Sequence, residues 1–70
     1  MTDEERNGYR ALLDATMRFI QNAEAFEADL NKLPSSRTRD GLLASNQTLL
    51  AKLRMEAAEL EKLGWGNGNA

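Results

Sequence analysis

The sequence predicts an all-α fold, an antiparallel two-helix hairpin that self-associates into a helical bundle, and three observations carry that expectation. An apolar line of alternating three- and four-residue spacing runs Tyr9, Leu12, Thr16, Phe19, Ala23, Phe26, Leu30, Leu33. The only proline, Pro34, interrupts it. A second apolar line follows through Leu42, Leu43, Leu49, Leu50, Leu53, Ala57, Leu60 and Leu63. With 4 aromatic residues among 70 (Tyr9, Phe19, Phe26, Trp65), β-rich architectures are disfavoured.

The first helix is expected over about 3–32. Thr2 followed by Glu5 matches a capping box, and Asp3, Glu4 and Glu5 complement the positive end of the helix dipole. Leu13 and Ile20 widen the apolar line, and Asp14 and Arg18 are spaced for an i,i+4 pair on the outer face. Phe19 and Phe26 are expected in the core. Pro34 ends the helix because it cannot donate to the backbone ladder and restricts the residue before it. The second helix is expected over about 36–63, with Ser35 or Ser36 as the best cap for a short turn. Asn46 falls on its apolar line, either as a buried register-setting amide or, as favoured here, at the edge of the seam. Gly64 suits a left-handed C′ position, with Trp65 packing back on Leu60. The organisation is thus one hairpin, 1–63, and a flexible Gly/Asn tail, 64–70.

Composition excludes whole classes of chemistry. The chain has no His and no Cys, which removes disulfides, thiolate nucleophiles, imidazole bases and the common zinc ligand sets. A ferritin-like Glu-x-x-His site is equally impossible, so neither a metal nor another cofactor is expected. The formal net charge of −2 gives no footprint for a long nucleic acid. The longest uncharged run, Gly41 to Ala51, is short and polar in the middle, so no membrane span is expected. The acidic start is unlike a signal peptide, and the expected location is the cytoplasm. Proton transfer would rest on carboxylates, lysines or Tyr9, and a two-helix hairpin offers no deep cleft; the chain reads as a non-enzyme.

Charge is unevenly placed. Residues 32–54 hold Lys32, Arg37, Arg39, Lys52 and Arg54 against Asp40 alone, while the remainder has four basic side chains against ten acidic ones. The turn Leu33-Pro34-Ser35-Ser36-Arg37-Thr38-Arg39 joins two guanidiniums, three hydroxyls and a helix N-terminus, the groups that a phosphate needs. The competing reading is a capped helix start with two solvated arginines. Tyr9, near the start of the first helix and carrying a polar tip, is the one aromatic suited to stacking on a base. A single hairpin has little core, and its stripes are broader than one seam, so a second copy of the chain is the first expected partner.

At Leu33-Pro34-Ser35-Ser36-Arg37 the chain resembles the anti-CBASS sponge family, small helical phage proteins with a Leu-Pro-x-Ser-Arg turn before a helix. Those proteins assemble into oligomers and hold cyclic di- or trinucleotides at subunit interfaces. After the turn the two diverge, because Thr38, Asp40-Gly41 and Asn46 differ from the family's Glu-x-Ser-Leu-Ala-x-Thr continuation. The resemblance implies a homo-oligomer that sequesters a cyclic oligonucleotide in the host cytoplasm without turning it over. It places Ser36 and Arg37 on phosphate and Tyr9 on a base; the charge pattern adds Arg39 as a second phosphate partner. The alternative is a helical adaptor or inhibitor that binds a host protein through its apolar stripe or acidic faces, and a structural virion component fits the same hairpin.

Overall fold

The computed structural model describes residues 2–66, with side chains through Gly64. Helix α1 spans Asp3–Asn31 and helix α2 spans Arg37–Glu61, and the winding continues as a π-helical turn over Lys62–Gly66. The rod measures 50 × 15 × 14 Å. Its radius of gyration of 15.8 Å far exceeds the roughly 11 Å of a compact globule of this length.

Both helix starts form as their local sequences require. Thr2 Oγ1 accepts from the Glu5 amide at 3.1 Å, and the Glu5 carboxylate accepts from the Thr2 amide at 3.1 Å, completing the capping box. These bonds to Thr2 hold the Glu5 carboxyl below its ordinary pKa. Helix α2 starts on Ser36, whose backbone is extended and whose Oγ accepts from the Arg39 amide at 3.1 Å. The Asp14–Arg18 pair does not form; the i,i+3 ion pairs at the two ends of α1 are Arg6–Asp3 and Lys32–Asp29.

The seam between the helices follows a strict alternation of threes and fours. On α1 it runs 6, 9, 13, 16, 20, 23, 27, 30, and on α2 39, 43, 46, 50, 53, 57, 60, 64, every position buried or half-buried. Ile20, Ala23, Leu50 and Ala57 form its centre, with Leu13 and Leu53 packed against them. This corrects the expected core. Tyr9, Thr16, Ala23 and Leu30 lie in the seam, but Leu12, Phe19, Phe26 and Leu33 do not; Ile20 is 6% exposed where its neighbour Phe19 is 63% exposed. The column 9-16-23-30 has an apolar neighbour on each side, and one partner helix covers only one of them.

Asn46 is also corrected, from the seam edge to its interior. It is buried, and its Nδ2 donates to the Ala23 carbonyl at 2.8 Å. The small side chain of Ala23 leaves that carbonyl open to approach from α2. The expected left-handed cap at Gly64 is absent, since no described residue has positive φ. The helix widens instead of stopping. Arg10 Nε donates to the Gly64 carbonyl at 3.0 Å, and a Cβ on Gly64 would lie 3.1 Å from Arg10 Cγ. Glycine is there for close approach. Residues 64–66 of the expected tail are therefore wound into the helical turn, and the Trp65 side chain and residues 67–70 lie outside the described residues.

Candidate functional site

The basic turn is built by two opposing instructions, a helix that must stop and one that must start. Lys32 closes α1 by donating its amide to the Asp29 and Leu30 carbonyls, and the Leu33 amide reaches Leu30 at 3.1 Å. Pro34 permits no further helical bond, and Ser35 leads to an extended Ser36 that opens α2. The crossing is tied from both sides. Ser35 Oγ donates to Asp40 Oδ2 at 2.9 Å, and Arg39 Nη1 donates to the Leu33 carbonyl at 3.2 Å. Arg39 Nε also lies 3.2 Å from Asp40 Oδ1, an ion contact without hydrogen-bond alignment.

These contacts separate the expected ligand residues into different roles. Arg39 is folded back on the turn, its side chain only 19% exposed, and Asp40 neutralises it. Its place is structural. Ser36 is committed to the cap through its acceptor lone pair, while its hydroxyl proton stays available. Arg37 stands exposed at the first helical position, and among the described residues it has no ion pair and the amides of Arg37 and Thr38 have no acceptor. A basic residue and two open amides therefore stand at the positive end of α2.

Tyr9 is not brought to them. It lies half-buried in the seam near the open end of the hairpin, roughly 35 Å of helix from the turn. Ser36, Arg37 and Arg39 are thus one cluster, and any site that adds Tyr9 takes it from another molecule. Among the described residues, no group of three or more acidic side chains is placed to hold a metal ion. No described helix is long and apolar enough to cross a membrane.

The two flanks of the seam differ more than the sequence indicated. With Leu13, Ile20, Leu43 and Leu50 taken as heptad position a, Glu24 and Arg54 are both at e, and they pair at 3.1 Å. Gln47, also at e, donates to Glu27 at 3.1 Å, and Arg10 at e holds Gly64. Since e faces e, the g positions of both helices share the opposite flank. There stand Leu12, Phe19 and Phe26 from α1, Leu33 just past its end, and Leu42, Leu49 and Glu56 from α2, all exposed. Exposed Met17 and Met55 sit elsewhere and singly, as is ordinary for a protein surface. The strict sevens of 12-19-26-33 were the available signal. Beside this flank, Ala15, Arg18, Phe19 and Asn22 line a shallow depression of about 280 Å³.

The chain matches no family model, no curated protein and no solved structure.

Proposed function

We propose that this chain is a non-enzymatic, homo-oligomeric helical protein that binds and sequesters a small phosphate-bearing ligand of the cyclic-oligonucleotide class in the cytoplasm. The observation that carries the reading is the state of Arg37: an exposed guanidinium with no partner among the described residues, beside the open Arg37 and Thr38 amides, on a turn already fixed by Arg39 and Asp40. A helix start with free N–H groups and an arginine fork suits a phosphate. The Leu-Pro-x-Ser-Arg resemblance supports the same ligand class. Sequestration rather than turnover fits a sequence without His or Cys.

Calorimetric titration of the full chain against cyclic di- and trinucleotides tests this. Micromolar or tighter binding, lost in Arg37→Ala with helicity unchanged, is the expected result. No heat with any of them ends the reading. The exposed apolar flank favours a second reading, a helical adaptor for another protein, and that reading gains if the nucleotides fail and a defined partner binds through Phe19 and Phe26.

A further inference from the structure

The apolar flank has an internal symmetry. Leu12, Phe19 and Phe26 recur every seven residues and line up along one side of α1 at steps of about 10.5 Å, and Leu33 continues the spacing in the bend just past the helix end. The order Leu-Phe-Phe-Leu reads the same from either end. A two-fold axis passing between Phe19 and Phe26 would set Leu12 against Leu33 of a second copy and Phe19 against its Phe26. Such self-complementarity is what an isologous interface requires. Leu42 and Leu49 lie on the same flank and extend the surface toward α2.

Area and charge agree on the occupant. Weighted by exposure, the six side chains present on the order of 600 Å² of apolar surface, at the upper end of the ~300–600 Å² of a monomer's largest patch and the larger part of the ~800 Å² each partner of a stable complex buries. The turn end of the rod, residues 32–40, has three basic side chains against one acidic; the open end, residues 2–10 and 59–64, has five acidic against three basic. Antiparallel docking lays each end against its opposite in charge. Parallel docking would stack like on like.

The depression beside Phe19 fits the same register. Ala15, Arg18, Phe19 and Asn22 are spaced i, i+3, i+4, i+7, the four-residue hole that receives a knob from a facing helix. Its centre, between residues 18 and 19, falls opposite residue 26 in the antiparallel register.

We infer that the flank formed by Leu12, Phe19, Phe26, Leu33, Leu42 and Leu49 docks a second copy of this chain antiparallel, with Phe26 of each copy seated in the hole beside Phe19 of the other, to give a four-helix bundle. The inference rests on the assembly half of the proposed function and is independent of any ligand.

Sedimentation equilibrium of the full chain at micromolar concentration should return twice the chain mass. Phe19→Glu with Phe26→Glu should lose the dimer, with helicity falling to the extent that folding is coupled to docking. Met55→Glu, on an exposed site away from the flank, should leave both mass and helicity unchanged. Orientation is read by cross-linking, which the absence of native cysteine makes clean. Ala15→Cys and Asp29→Cys chains should cross-link efficiently when mixed and poorly when alone. A wild-type monomer with full helicity, or a dimer that survives the double Glu substitution, overturns the inference. Efficient cross-linking of each Cys variant to itself overturns the antiparallel arrangement. A dimer that gives no heat with any cyclic nucleotide leaves this inference standing and ends the ligand reading alone.

Discussion

The two flanks of one seam divide the labour of this hairpin. The e flank is closed within the chain, with Glu24 on Arg54, Gln47 on Glu27 and Arg10 on the Gly64 carbonyl. The g flank has larger apolar side chains than much of the seam itself and leaves them in water. Adjacent residues thus have opposite fates: Ile20 is among the most buried side chains of α1, and Phe19 is the most exposed of its large apolar ones. What decides is the partner helix rather than hydrophobicity. Polar e residues reach across one side, which turns the g line outward and leaves it available for an intermolecular contact.

The largest expected difference separates seam from flank. Leu50, 2% exposed at the centre of the core, should cost about 2–5 kcal/mol when truncated to Ala, measured by urea unfolding followed by circular dichroism. Leu42→Ala on the open flank should cost far less at chain concentrations too low for association. Equal losses would erase the distinction between the two lines.

Asn46 sharpens the comparison from inside the seam. Its amide is the only buried polar side chain among the described residues, and its bond to the Ala23 carbonyl ties α2 to one register. Asn46→Ala should destabilise by about 1–3 kcal/mol, through the lost bond and the space left behind. Unfolding that was unaffected would mean that the bond contributes nothing net.

Much of this was legible because it is local. The capping box at Thr2 and Glu5, the stop at Pro34 and the cap at Ser36 depend on a few neighbouring residues, and both ends of α1 and the start of α2 fall within one residue of their expected places. The assignment of Phe19 and Phe26 to the core failed for a non-local reason. Lines 12-19-26-33 and 13-20-27 flank the same column, and the choice between them depends on pairings 20 to 30 residues away, such as Arg54 on Glu24. Gly64 failed similarly, because a contact with Arg10, 54 residues earlier, replaced the expected cap. At the turn, the grouping of Ser36, Arg37 and Arg39 was legible from adjacency. The division between a structural Arg39 and a free Arg37 was not, since it depends on which guanidinium reaches the Leu33 carbonyl.

Smaller effects test the ends of α1 against its middle. Thr2→Ala removes a capping hydroxyl and should cost about 1 kcal/mol in thermal or urea unfolding. The Glu5 carboxyl is held below its ordinary pKa by Thr2, so its contribution is complete above the ordinary carboxylate range. It is lost as pH falls through the lowered value in the folded state. Thr2→Ala should therefore flatten part of the acid limb of the stability–pH profile; an unchanged limb would count against the box. Gly8 and Gly41 lie within helices, with open space where a Cβ would stand. Gly8→Ala and Gly41→Ala should each raise stability by about 0.5–1 kcal/mol.

The most direct measurement compares Ile20 with Phe19 by thermal melting over a hundredfold range of chain concentration. A fold coupled to association melts at a temperature that rises with concentration. The wild type should show this rise, Ile20→Ala should melt lower throughout but keep the rise, and Phe19→Ala should lose most of it. A wild-type melting temperature independent of concentration, or a Phe19→Ala chain with the full rise, would contradict an apolar flank that meets a second copy.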